Sequence, residues 1–253
     1  MSKGHAARTD GLAAMLLTRA WPQHDAVDEF DSWQEGRHFP ELVGVPGVER
    51  AEYFRVVERD IAQVLQGSGN RIAVYWSVDL EPLMTFLTHP GLAVAVEDGS
   101  RFFPHFNELD GDRYTGNIYR LGSPARGSGG DDDYPDHDSV VILVERYEVP
   151  ADARDEFDQW VREVHVAGLL ELGRRVCVRV GHAVRANLPI PYYNSPGSDL
   201  VLTTFGGSVR AIAHDPRLLA RLGDAQRWDR RLVYVRRELA ELGFDRDREP
   251  GRG

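Results

Sequence analysis

The sequence predicts an α+β fold laid down twice in one chain. Three observations carry this reading: a short text that recurs at a fixed interval, an order of strand and helix patterns that recurs around it, and a composition suited to a folded globule. Aligning Asp28-Glu29-Phe30-Asp31-Ser32-Trp33 with Asp155-Glu156-Phe157-Asp158-Gln159-Trp160 gives a shift of 127 and carries His38 onto His165, with six of the eleven positions 28–38 identical. Around each copy the patterns run strand, helix, strand, strand, helix, strand. Hydrophobic residues make up 42% and charged residues 28% of the 253, enough apolar surface for a sizeable core and too much for overall disorder.

In the first half, the apolar residues 12–21 read as a strand. Residues 25–43 read as a helix with Val27, Phe30, Arg37, His38 and Leu42 near one side, stopped by Pro46-Gly47. Residues 48–57 and 72–78 follow as strands, the second dense in β-branched and aromatic side chains. A second helix is expected over 81–97, broken at Pro90-Gly91, and residues 114–121 close the half. The second half repeats this with strands over 140–149, 176–185, 200–205 and 232–237, and helices over 151–172 and 209–225. Its last strand matches the first half's at a shift of about 115, so the first half carries an insertion, which contains Arg101-Phe102-Phe103-Pro104-His105-Phe106. The expected division is residues 1–122 and 138–240 as two units, with a Gly, Pro, Ser and Asp-rich linker over 123–137 and a flexible charged tail over 241–253.

The charge balance narrows the partners. A net charge of −10, with arginines scattered among acids, would repel phosphate backbones and anionic lipids, so neither nucleic acid nor membrane is an expected partner. A single cysteine, Cys177, excludes an intramolecular disulfide and a Cys-based metal cluster. No secretory core or membrane span is evident, and the expected location is the cytoplasm. The acidic run Asp131-Asp132-Asp133 lacks the spacing of a calcium loop, and no metal is expected. P-loop, dinucleotide, zinc and nucleophile motifs are not found, and the short glycine clusters read as turns.

The βαββαβ order is that of a ferredoxin-like unit. The text Glu29-Phe30-x-x-Trp33-x4-His38-x-Pro40-Glu41-Leu42-x3-Pro46-Gly47-Val48 resembles the first-helix signature of the dimeric α+β barrel superfamily, fully in the first half and in part in the second, where Val166-Ala167 and Gly173-Arg174 stand instead. The resemblance implies two tandem ferredoxin-like units forming a dimeric α+β barrel within one molecule, each with room for a pocket between sheet and helices. The superfamily includes cofactor-independent anthrone-type oxygenases, polyketide cyclases, muconolactone-type isomerases and haem proteins of the chlorite dismutase type, so the fold leaves the chemistry open. The tandem architecture is similar to that of oxygenases that open angucycline-type rings.

The candidate catalytic residues are His38 and His105. His38 lies five residues beyond Trp33, about 140° further round an α-helix, where a neutral imidazole beside an apolar pocket could take a proton from a phenol or acidic carbon. Equally, it could be a half-buried histidine satisfied by the backbone. His105 belongs to the aromatic insertion, which reads either as a lid over a flat substrate or as a cap on the core. The candidate substrate-binding residues are Trp33, Tyr75, Trp76, Phe103, Phe106, Arg146 and His165. The alternation of a strand places Tyr75 and Trp76 on opposite faces, and Arg146 opposite Tyr147. Residues 189–194, PIPYYN, form a further aromatic loop.

The expected function is oxygenation, including oxidative ring cleavage, of a polycyclic aromatic polyketide-type substrate in specialised metabolism, as in antibiotic biosynthesis. No cofactor is expected to be built in: dioxygen reacts directly or through reduced flavin supplied by a partner reductase, and haem is not expected. A second copy of the chain is a candidate partner. The alternatives are a cyclase or isomerase using the same pocket and a non-catalytic ligand-binding barrel.

Overall fold

The structure, a computed structural model, describes residues 11–22, 26–56, 71–102, 114–127, 140–173, 175–184, 198–229 and 234–245. Among the described residues there are nine strands. They are β1 (Ala14–Ala20), β2 (Arg50–Val56), β3 (Arg71–Ser77), β4 (Tyr114–Leu121), β5 (Ala125–Arg126), β6 (Val140–Glu148), β7 (Val176–Val184), β8 (Asp199–Gly206) and β9 (Tyr234–Asp245), with helical segments after β1, β3, β6 and β8. Eight of the strands form one closed antiparallel ring, in the order β4-β1-β3-β2-β9-β6-β8-β7 and back to β4, and β5 pairs beside it on β7. Among the described residues, pairing at two seams closes the ring.

Both halves show the same internal order, β4-β1-β3-β2 and β9-β6-β8-β7. Two seams join them. At one, β2 pairs with β9 from Val56↔Ala240 to Glu52↔Asp245, and at the other β4 pairs with β7 from Ile118↔Val184 to Leu121↔Gly181. Residues 241–245, expected in a fraying tail, therefore complete β9, and 125–126, expected in the linker, form β5. In both places a neighbouring strand satisfies the backbone.

Strand alternation divides the apolar residues into three clusters. Leu16, Tyr53 and Tyr75 face the helices of the first half; Leu143, Tyr147 and Val201 face those of the second; Met15, Leu17, Val74, Ile142 and Leu202 fill the barrel interior. Every residue of β1 is buried, because one face meets helices and the other meets the lumen.

The first helical segment of each half is interrupted. α1 (Val27–Trp33) runs into a π-helical turn, Gln34–His38, and then α2 (Phe39–Val43). In the second half α5 (Arg154–Trp160) runs into Val161–His165 and then α6 (Val166–Leu170). Asp28 and Glu29, and likewise Asp155 and Glu156, occupy the first turns, where the helix dipole favours negative charge. Between them lie α3 (Leu80–Leu87), capped by the Asp79 carboxylate accepting from the Leu80 N–H, and α4 (Pro90–Gly99), beginning at the proline expected to break the helix. The equivalent pair is α7 (Val209–Ala213), capped by Ser208, and α8 (Pro216–Asp229).

The π-turn corrects the expected facing of the first helix. Arg37, placed on the inner side by an α-helical period, is 57% exposed and pairs with Glu41 and Asp98. A π-turn bonds residue i to i+5, as the Phe39 N–H does to the Gln34 carbonyl and the Val166 N–H to the Val161 carbonyl. Residues five apart are thereby stacked, where an α-helix would set them about 140° apart. Among the described residues no helix is long and apolar enough to cross a membrane.

Candidate functional site

The π-turn brings Trp33 and His38 together, with ring centroids 4.4 Å apart, and in the second half Trp160 and His165 stack at 4.7 Å. Both histidines are buried. Their surroundings differ, and registers on the sheet say why. Thr18 and Gly116, paired on β1 and β4, occupy the positions that Glu145 and Arg237 occupy on β6 and β9. Conversely, Tyr75 opposite Leu16 is replaced by Thr203 opposite Leu143. The first half is therefore small on one side and aromatic on the other, whereas the second is charged on one side and small on the other.

In the first half His38 lies against Trp33 and Phe39, themselves part of an aromatic cluster. Trp33 is on one side, Phe39 contacts Tyr53 and Tyr75, and Phe102 packs at 5.3 Å from both Phe30 and Trp33. Trp33 is held by its Nε1–H, which donates to Asp98 at 2.7 Å, and by Gly99, where a Cβ would come within 2.7 Å of the ring. Burial lowers the His38 pKa to about 3, outweighing the opposite pull of Asp98. The imidazole is neutral at physiological pH. Its buried Nδ1 and the buried Oε1 of Gln34, at the start of the same π-turn, have no hydrogen-bond partner among the described residues. Such unpartnered buried atoms are costly and ask for a partner.

In the second half His165 is already partnered. Its Nε2 lies 2.8 Å from Glu145 Oε2, while Glu145 Oε1 accepts from the Tyr147 hydroxyl at 2.7 Å and from Arg237 Nε at 3.2 Å. Burial pushes the Glu145 carboxyl up, but His165, Arg237 and Tyr147 outweigh it and hold the pKa below 4.5. Burial together with the Glu145 charge pushes the Tyr147 hydroxyl well above its ordinary value.

The expected site residues thus fall into separate compartments. His38, Trp33 and Tyr75 share the first helix–sheet interface. His165 sits in the other half. Trp76 lies in the barrel interior, where its Nε1–H donates to Glu52 at 2.5 Å, and Arg146 is buried on the same inward face of β6 as Ile142 and Val144. His105, Phe103, Phe106 and the aromatic loop 189–194 lie outside the described residues. Phe102, at the start of the expected insertion, caps the first core, with Arg101 over its ring at 4.7 Å.

Two of the charged clusters that the sequence reading did not assemble lie at the helix–sheet interfaces. Asp31 accepts from the Tyr53 hydroxyl at 2.6 Å and from Arg71 at 2.7 and 2.9 Å, clamping α1 to β2 and β3. Glu145, Tyr147 and Arg237 are the other. The only sequence signal for the second was Glu145 and Tyr147 two apart on one strand face. His165 Nε2 is engaged by Glu145, and the His38 ring lies against Trp33. Among the described residues no group of three or more His, Cys, Asp or Glu is placed to hold a metal ion.

A closed antiparallel ring with helices packed outside it, and a histidine under a tryptophan in each half, define an α+β barrel protein. Solved structures share this fold over more than nine tenths of the chain. The putative monooxygenase of Fusobacterium nucleatum aligns with a TM-score of 0.54 at 10% identity, covering 92% of this chain and 94% of its own. Chlorite dismutase of Candidatus Nitrospira defluvii aligns with a TM-score of 0.52 at 11% identity, covering 93% and 92%. A second putative monooxygenase, from Lactobacillus acidophilus, aligns at 0.50 and 8%, covering 92% and 95%. No family model matches the chain, and no curated protein matches it.

Proposed function

We propose that the chain is an oxygenase of specialised metabolism that acts on a polycyclic aromatic, polyketide-type substrate at the first helix–sheet interface. The observation that carries this reading is the His38 imidazole, neutral, set between Trp33 and Phe39 and left with an Nδ1 that has no partner among the described residues. The shared fold with proteins bearing a monooxygenase name supports it.

His38 takes a proton from a phenol or benzylic carbon, and the imidazolium so formed is stabilised by the anion beside it. The resulting electron-rich anion reacts with dioxygen. For an anthrone-type carbon, the CH2 group becomes a carbonyl while the second oxygen atom leaves as water, so the substrate supplies all the electrons. Less activated substrates require reduced flavin from a partner reductase. Trp33 and Tyr75 orient the ring. On this reading the two halves are tandem ferredoxin-like units, residues 1–122 hold the working pocket, and residues 138–240 complete the barrel.

The test is oxygen uptake by the purified protein with anthrone-type and angucycline-type phenols, with and without reduced flavin. Uptake coupled to product, reduced at least tenfold in His38→Gln with folding intact, is the expected result. Product formed without oxygen uptake would establish cyclisation or isomerisation in its place. Saturable binding without any turnover would leave a ligand-binding barrel.

A further inference from the structure

The two halves diverge most at one end of the second helix–sheet interface. In the first half the loop after α2 closes down on α3. Gly47 has φ 101°, and a side chain there would run into the Pro82 carbonyl. Phe86 and Val48 are buried beside it and complete the seal.

The second half lacks each of these parts. α7 has five residues where α3 has eight. Counting back from the shared prolines Pro90 and Pro216, Ile212 takes the place of Phe86. At the shift of 127, Arg174 replaces Gly47 and Arg175 replaces Val48. What remains is a cavity of about 280 Å³, lined by Leu172, Val176, Phe205, Ile212 and Leu218, with Arg175 at its margin.

The lining is apolar, so water gains few hydrogen bonds inside it. Arg175 is exposed and engages no side chain among the described residues. The other charge at the cavity, Asp215, is offset by Arg217, which donates to it at 2.7 and 3.1 Å. A ring-sized apolar space with a cation where its twin has a valine fits a small ligand with an apolar body and one negative end.

We propose that this cavity is a binding site for a monocyclic aryl carboxylate, whose ring replaces the missing Phe86 side chain and whose carboxylate pairs with Arg175. It shares no residue with the His38 interface, so its success or failure is independent of the oxygenase reading.

Benzoate and phenylacetate, with benzyl alcohol as the uncharged probe, are titrated into the full chain and followed by calorimetry and backbone amide NMR shifts. Saturable binding of the carboxylates is expected, with shifts at Leu172, Phe205 and Ile212. Arg175→Val should weaken the carboxylates about tenfold and leave benzyl alcohol unchanged. Ile212→Phe, which restores the first half's filling, should abolish binding of all three without lowering the thermal midpoint. If no carboxylate saturates, or if Ile212→Phe still binds, the site is refuted. Equal affinity for benzyl alcohol and benzoate would overturn the anion preference.

Discussion

Burial lowers the His38 pKa to about 3 from an ordinary 6.5. Between those values the unfolded chain takes up a proton that the folded chain refuses. Stability is therefore whole above pH 6.5 and declines as pH falls toward 3, by at most about 1.4 kcal/mol per pH unit from this group. His38→Gln should flatten that part of the profile of thermal midpoint against pH; an unchanged slope would show that the ring is not buried as described. Glu145 behaves as a stabilised anion, its folded pKa below the 4.5 of the unfolded chain. Its contribution is complete above pH 4.5 and is lost as pH falls through the lower folded value. Replacing it, as Glu145→Gln, removes the buried anion that His165, Tyr147 and Arg237 share and should cost about 3–5 kcal/mol in denaturant unfolding. At this scale the sequence disclosed the repeated histidines, but their difference was hidden. It rests on residues far apart in the chain: Thr18 and Gly116 in one half against Glu145 and Arg237 in the other.

The helix with the repeated text was foreseen, and the pairing of tryptophan with histidine five residues on was not. An α-helical period puts them on different sides, whereas the π-turn stacks them. A spacing of five kept in both copies was the available clue, although a period analysis tuned to 3.6 cannot register it. Glycines in this region have opposite roles. Gly36 lies in the π-turn with nothing near its missing side chain, so Gly36→Ala should stabilise the protein by about 0.4–1 kcal/mol. Gly47, by contrast, combines a positive φ with close approach to Pro82, so Gly47→Ala should destabilise it by about 1–3 kcal/mol. Paired chemical denaturation of the two variants reads both signs in one experiment.

Across the whole molecule, closure of the ring couples the halves. Truncation after Leu239 removes the strand residues that pair β9 with β2, opening the barrel along one seam. The truncated chain should expose apolar lumen residues, bind hydrophobic dye and lose its single cooperative transition; retention of a sharp native-like melt would show that the β4–β7 seam alone suffices. The duplication, the order of strands and helices, the break at Pro90 and the opposite facing of Tyr75 and Trp76 were legible in the sequence alone. Each depends on neighbours in the chain, through propensity, alternation and the repeat itself. Tertiary structure alone decided that residues 241–245 are strand, that Trp76 and Arg146 face the lumen away from His38, and that the second half is charged at its histidine and hollow beside Ile212. These outcomes depend on which residues meet across the sheet and on how much volume each pair fills, and a linear pattern holds neither quantity.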